Sequence, residues 1–420
     1  MPKLSLINLN KTYHNGVHAL KDFSYIFKDQ EFVVILGKSG CGKTTLLRLI
    51  AGLEEMDLGE IYIDDELINY IDPRDRDVAM VFQNYALYPQ MSAYQNLAIP
   101  LKTKRIKKQL FDKKGHPVLS PDYDKIAALK EEINGLSHSK EDKQRKKELK
   151  NQIKFLKKNP TEPTYFYDSY NIEEIDERII KVAEELEITP FLDQRASTLS
   201  GGQKQRVALG KAIIKEPKIL LMDEPLSNID AKLKSQALEV IRKAHQSSKV
   251  ITIYVTHDQN ESLALADSLI VMEDGKIKQS GDPQEIFDNP NSVFVASFLG
   301  TPPMNIIDVK YIDKKIVIET EKDDVSISVK KEFNQKALLV GLRPDKIFLE
   351  EIKDGIKVPV ICEYTELLGH DSYCYAYIKE QRIVFKLPNK TKLEPEQKFD
   401  IYFEPNSLFF FDKDTKERIY

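Results

Sequence analysis

Cysteine is scarce in this 420-residue chain, with only Cys41, Cys362 and Cys374. Their spacing contains no CxxC, which argues against both a disulfide framework and a zinc site. A long apolar run is missing as well. No stretch approaches the roughly 20 residues that a bilayer-crossing helix needs, so any membrane role is expected to come through partners. The start, MPKLSLINLN, lacks the apolar core of a secretory signal, and a cytosolic chain is expected. There is no excess of one charge either: the net charge is -4, which implies no global pull toward nucleic acid or anionic lipid. No internal repeat is visible. What is present is ordinary for soluble protein, 41% hydrophobic and 30% charged, over a length that suits two or three domains.

Organisation follows from periodicity. Leu4, Leu6 and the residues to Leu9 alternate as in an edge strand. Phe32 to Leu36 is a continuous apolar run, the mark of a buried strand. Thr44 to Ala51 reads as a helix stopped by Gly52, with strands to follow at Glu60 to Ile63 and Val78 to Phe82. Between Leu101 and Pro160 the composition turns basic, with 18 Lys and Arg against 8 Asp and Glu. There Ile126, Leu129, Ile133 and Leu136, and then Leu149, Ile153 and Leu156, have helical spacing. The Gly-Leu-Ser-His-Ser between them reads as a turn, predicting two short amphipathic helices in a hairpin. Around Pro160 and Pro163 the pattern is irregular. A helix is predicted over Ile172 to Leu186. Buried strands are predicted at Ile219 to Met222 and at Val250 to Val255, in an alternation that argues for a mostly parallel sheet with covering helices. After Thr301-Pro302-Pro303, short segments at Asp324 to Val329, Ala337 to Leu342, Tyr373 to Ile378, Ile383 to Leu387 and Phe399 to Phe403 suggest a small all-β module.

Three motifs carry chemistry. Gly37-Lys38-Ser39-Gly40-Cys41-Gly42-Lys43-Thr44 fits G-x-x-x-x-G-K-[ST], the P-loop. Its glycines let backbone N–H groups face a phosphate, and Lys43 supplies a charge for the β- and γ-phosphates. The Thr44 hydroxyl suits Mg²⁺, and the helix that opens here adds its positive end. Ile219-Leu220-Leu221-Met222-Asp223-Glu224 is a buried strand that delivers a magnesium-holding Asp223, with Glu224 beside it to act on water. Leu199-Ser200-Gly201-Gly202-Gln203 is a second glycine-containing helix start. By itself it reads more simply as a helix capped by Ser200.

The order of these motifs resembles the nucleotide-binding subunit of an ATP-binding cassette (ABC) transporter. Gln83 in Val-Phe-Gln-Asn-Tyr-Ala-Leu-Tyr-Pro, Ser227-Asn228-Ile229-Asp230 and Thr256-His257-Asp258 complete the set. The resemblance implies a P-loop ABC ATPase core of α/β class with a helical subdomain over 1–300, and a basic insert at about 101–165. It implies a head-to-tail dimer, of two copies or of one copy with a paralogue, in which Leu199, Ser200, Gly201, Gly202 and Gln203 of one subunit face the nucleotide on the P-loop of the other. Tyr13 resembles the aromatic that stacks on adenine, and Thr45 belongs with the P-loop residues that bind ATP. Gln83 resembles a sensor of Mg²⁺ and water, Glu224 the general base, Asp230 the link across the dimer, and His257 the holder of the γ-phosphate.

Phe294 to Asn305, Gly341-Leu342-Arg343-Pro344-Asp345 and Glu366-Leu367-Leu368-Gly369 resemble the junction and C-terminal OB-like (TOBE-type) module of maltose-type sugar importer ATPases, here 301–420. The implied cofactors are ATP and Mg²⁺. The implied partners are two transmembrane permease subunits, an extracytoplasmic substrate-binding protein and a regulatory protein at the C-terminal module, with no nucleic acid. The implied place is the cytoplasmic face of the membrane. The tail favours a carbohydrate or glycerol phosphate as cargo. A polyamine importer is the near alternative, and a soluble ABC ATPase acting on nucleic acid or ribosomes the distant one. Lys38 and Gly210-Lys211 depart from the family pattern, which usually has Pro and Ala-Arg at these places, and Gly210 is expected to cost its helix about 1 kcal/mol.

Overall fold

The structure is a computed structural model that describes residues 3–137, 140–321, 323–329, 332–333, 337–368, 371–388 and 391–420. Two compact units emerge, one from Met1–Ala86 with Glu216–Tyr420 and the other from Leu87–Lys215.

In the first unit a six-stranded sheet runs in the order Lys276–Gly281, Ser268–Glu273, Phe32–Gly37, Ile251–Thr256, Ile219–Asp223, Val78–Val81. All neighbours are parallel except the first pair. Phe32–Gly37 is buried throughout, as are Ile219–Asp223 and Ile251–Thr256. This explains their unbroken apolar runs: strands covered on both faces have no polar side to show. Register places Leu36 opposite Thr256 and Asp223 opposite Val255. Three strand ends, and the loops that follow them, therefore open at one edge of the sheet. Ligands of open parallel sheets bind at such carboxyl ends.

The helix Lys43–Ala51 returns along the sheet and stops at Gly52, which takes a left-handed conformation and caps the carbonyls of Arg48 and Leu49. An antiparallel sheet of His18–Phe27, Leu4–Thr12, Leu58–Ile63 and Glu66–Leu67 shares its apolar core, which includes Leu4, Phe23, Leu46, Ile61 and Ile253. Here one expectation fails. Leu4–Thr12 is not an edge strand, because it pairs with His18–Phe27 on one side and Leu58–Ile63 on the other. The alternation alone does not distinguish an edge from an interior strand when only one face is buried.

The C-terminal part of this unit is all-β, as expected of the OB-like module. A five-stranded sheet (Val325–Ser328, Lys315–Ile318, Asn305–Ile312, Ala337–Leu342, Phe409–Asp412) and a four-stranded one (Gln381–Leu387, Asp371–Ile378, Ile356–Leu368, Lys398–Phe403) enclose one core around Ile316, Val340, Val358, Phe385 and Phe403. Of the residues that suggested the module, Gly369 lies outside the described residues.

In the second unit, helices Ala93–Thr103, Ile172–Glu185 and Gly201–Ile213 pack together. Each begins with a reciprocal capping box, on Ser92 with Gln95, Asn171 with Glu174, and Ser200 with Gln203. The basic insert does form two helices, Tyr123–Gly135 and Lys140–Lys158, which pack together, bury Ile126 and Leu149, and are joined by an Arg145–Glu132 ion pair of 2.9 Å. The second is longer than expected, and His138 and Ser139 of the predicted turn lie outside the described residues. The irregular flank is in fact ordered pairing. Ile106–Gln109 joins Tyr165–Asp168, and Leu119–Ser120 joins Glu162–Pro163. Strands this short leave too little alternation to read.

Candidate functional site

The P-loop is shaped by close approach. Gly42 has φ +103°, and a Cβ there would lie 2.1 Å from the Ala19 carbonyl oxygen. At Gly37 a Cβ would meet Cys41 Sγ and the Met272 carbonyl oxygen, each at 2.6 Å. No side chain caps the helix Lys43–Ala51, and its first turn holds no acidic residue. Its first N–H groups are thus left for an anion. The Lys43 ammonium is buried and donates to the carbonyls of Gly37 (2.8 Å) and Lys38 (3.0 Å), so the charge is held over the loop. Cys41 is buried against this loop, and burial pushes its thiol up from the usual range. It is packing here, not a nucleophile.

Across from the loop, Thr44 Oγ1 donates to Asp223 Oδ1 at 2.8 Å. Burial pushes the Asp223 carboxyl up, the Thr44 hydrogen bond opposes the shift, and the neighbouring Glu224 charge adds to it. Glu224 occupies the left-handed region, φ +44°, with its N–H bonded to the Val255 carbonyl at 3.0 Å. A non-glycine residue held there is strained, a condition that clusters at functional sites. The turn aims its carboxylate at His257, whose Nδ1 is 3.2 Å from Glu224 Oε2. Gln83 follows the sheet's outer strand, and its carbonyl accepts from Asn228 Nδ2 at 2.9 Å. The Ser227–Asp230 turn and Gln83 are thereby tied together.

A cavity of about 460 Å³ is lined by Tyr13, Val17, Ala19, Ser39, Gly40, Gly42, Lys43, Thr44, Thr45, Gln83 and Glu224. Tyr13 stands beside the loop, its hydroxyl 3.1 Å from Thr45 Oγ1. The fold thus gathers the P-loop, Tyr13, Gln83 and Glu224 on one cavity, with Asp223 hydrogen-bonded to Thr44 and His257 beside Glu224. Asp230 caps the helix Ala231–Ser248 without a side-chain hydrogen bond and is exposed. Leu199 to Gln203 belong to the other unit, where Leu199 is buried, Ser200 exposed, and the space around Gly202 open.

Sequence reasoning missed the support behind His257. Lys234 bridges Asp258 and Glu261, each at 2.9 Å, and Glu261 accepts from Tyr254 and Thr256, each at 2.8 Å. Glu261 is buried. This network fixes the turn that carries His257. Its only signal in sequence is a carboxylate one helical turn beyond Asp258, which is too common to single out. Val17 and Ala19 also escaped notice, because an apolar wall leaves no motif.

The ABC transporter family profile matches residues 20–227. The chain is 36% identical, over the whole length of both, to the sn-glycerol-3-phosphate import ATP-binding protein UgpC of Bartonella bacilliformis. It is 35% identical to the multiple sugar-binding transport ATP-binding protein MsmK of Streptococcus mutans and 33% identical to the oligosaccharides import ATP-binding protein MsmX of Bacillus subtilis, again with full coverage of both chains. Full-length likeness at this level, on a fold that assembles the P-loop and its partners at one sheet edge, settles the family: the chain belongs to the ATP-binding proteins of ABC transporters.

Proposed function

We propose that this chain is the ATP-hydrolysing subunit of an importer for a carbohydrate, a sugar or a glycerol phosphate, which crosses the membrane through two separate permease subunits. One observation carries the ATP chemistry: the P-loop's Thr44 touches Asp223, and Glu224, the next residue, lines the same cavity and meets His257. The cargo class rests on the sugar and glycerol-phosphate importers that the chain matches from end to end.

The P-loop N–H groups and Lys43 bind the β- and γ-phosphates, and the Tyr13 ring takes the adenine. Thr44 and Asp223, with Gln83 at the cavity wall, offer the hard oxygen donors that suit Mg²⁺, an ion that takes few protein ligands and keeps several waters. Held by these residues, such an ion would supply positive charge to offset the negative charge of the phosphates. Glu224 accepts the proton of the attacking water. The new bond forms at the γ-phosphorus, and the bond to the ADP oxygen breaks. His257, next to Glu224, holds the γ-phosphate. Ser200 and Gly202 of a second copy of this chain complete the site, so turnover follows dimer closure through Asp230.

Residues 1–300 form the ATPase and 301–420 the regulatory module, which takes a regulatory protein. The complex sits at the cytoplasmic face with a substrate-binding protein outside. Among the described residues no helix is long and apolar enough to cross a membrane, which suits a peripheral subunit. The test is purification of the chain from membranes with its permease partners, followed by uptake of labelled sugars, glycerol phosphate and polyamines by the captured complex. Capture of permeases with sugar or glycerol-phosphate uptake is expected. Polyamine uptake replaces the cargo, and capture of RNA or DNA in place of permeases overturns the importer.

A further inference from the structure

The helix Val293–Phe298 and the Leu299–Gly300 that follow it connect the ATPase to the all-β module, and side chains grip them from both directions. From the ATPase, Gln259 is the first residue of the helix Gln259–Leu265, two positions after His257. Its side-chain amide makes two hydrogen bonds. Nε2 donates to the Phe298 carbonyl, and Oε1 accepts from the Gly300 N–H at 2.8 Å. A single residue thus brackets Leu299. The P-loop adds a second contact, the Lys38 ammonium 5.6 Å from the centre of the Phe294 ring, which itself stacks on Phe298.

From the module, Arg343 directly follows the strand Ala337–Leu342. Its Nη1 donates to the Leu299 carbonyl at 2.7 Å and its Nη2 to the Phe287 carbonyl, and its guanidinium lies 4.0 Å from the Phe287 ring centre. Arg343 is only 5% exposed, and burial brings its pKa down to about 10. A cation kept dry to hold two carbonyls is a fixed point, not a loose surface contact. Asn305 adds rigidity beyond it, donating to the carbonyls of Leu342 and Val384.

We infer that Gln259 and Arg343 form a staple through the 298–300 connector by which the C-terminal module positions the His257 turn, so that nucleotide at the P-loop and conformation at the module are coupled. Gln259 and Arg343 are positioning residues, acting through the backbone of the connector. Lys38, a departure from the family pattern that the ATP chemistry leaves unused as a side chain, gives the P-loop its own hold on the same connector. The coupling of binding is reciprocal: whatever binds the module and shifts the connector shifts ATP affinity, and ATP shifts the module. This inference rests on the ATP-site assignment above.

The test uses the full chain. Gln259→Met keeps the side-chain volume and removes both hydrogen bonds, and Arg343→Lys keeps the charge and loses the two-carbonyl fork. In the unaltered chain, ATP is expected to change amide hydrogen exchange in 298–312 and 337–342. In either variant that ATP-dependent difference is expected to vanish, with turnover down about tenfold and the ATP Kd within about twofold of normal. A merely structural role moves the melting temperature but leaves the ATP-dependent difference in place, and that outcome overturns the inference. So does an unaltered chain that binds ATP with no change in the module. Failure of the unaltered chain to bind ATP overturns the ATP site itself, and the staple with it.

Discussion

Two helices of this chain start beside a glycine and are expected to meet phosphate, yet they start in opposite conditions. The helix Lys43–Ala51 opens after Gly42 in a left-handed conformation, with no side-chain cap. The helix Gly201–Ile213 opens after Ser200, whose Oγ accepts from the Gln203 N–H at 3.3 Å while Gln203 Oε1 accepts from the Ser200 N–H at 2.9 Å. The first start keeps its donors for an anion and has Lys43 folded over the loop. The second has already paired the Ser200 and Gln203 N–H groups within its own capping box. A ligand that takes the Ser200 hydroxyl or the Gln203 N–H there gives up about 1 kcal/mol of capping. That suits a contact which must form and break in every cycle, whereas the uncapped P-loop suits a nucleotide that binds first and stays.

If the two starts divide the labour this way, chemistry is lost at the first and closure at the second. The largest effect is expected at Glu224. Glu224→Gln keeps the shape and removes the base, so turnover falls by about 10² to 10⁴ while ATP binding persists. Steady-state phosphate release beside equilibrium ATP binding measures both, and normal hydrolysis by the variant breaks the assignment. Lys43→Ala comes next. It deletes the charge-assisted hydrogen bonds to phosphate, each worth about 1.5–3 kcal/mol, so ATP affinity falls by about a hundredfold in a titration. An unchanged Kd means that the loop's N–H groups carry the binding unaided.

The two starts also differ in how openly the sequence declares them. The P-loop was legible in full, because a glycine pattern, a lysine and a hydroxyl at fixed spacing follow a buried strand. Asp223 and Glu224 were legible for the same reason, as the end of an apolar run. The parallel sheet follows from strand–helix alternation and a small all-β module from short alternating segments, whereas its OB-like type comes only from the family resemblance. Ser200 read as a cap, which it is; only the family pattern assigned it to a partner's nucleotide. Hidden were features that depend on distant pairing. Leu4–Thr12 looked like an edge strand because its second neighbour, Leu58–Ile63, is some fifty residues away. The Lys234–Asp258–Glu261 network and the Gln259–Arg343 staple join residues that nothing in local sequence connects.

A smaller effect separates the two starts directly. Ser200→Ala removes the cap and leaves the Gln203 N–H without its acceptor, so the protein loses about 1 kcal/mol of stability by urea unfolding. If the cap is only a cap, ATP turnover per folded molecule is unaffected. If Ser200 also meets the partner's γ-phosphate, turnover drops while the Kd for ATP at the P-loop is retained. Equal loss of both places Ser200 at neither site and collapses the distinction between the starts.

The smallest effect concerns how firmly the second start is held. Gly210 lies inside the helix Gly201–Ile213, where an exposed Gly→Ala change adds about 1 kcal/mol of stability. Here a Cβ would lie 3.0 Å from Leu97 Cδ2, 3.1 Å from Leu186 Cδ1 and 3.2 Å from Val182 Cγ1. The glycine therefore has a packing reason that the family comparison alone did not supply: it lets this helix sit close to its two neighbours. Overpacking costs about 1–3 kcal/mol, offset by the propensity gain and by the ability of three side-chain ends to yield. Gly210→Ala is therefore expected to destabilise by up to about 1 kcal/mol in urea unfolding, the sign opposite to that of a solvent-facing glycine. A gain in stability instead means that the helix is loosely seated, and its capped start is then no more rigidly placed than an open one.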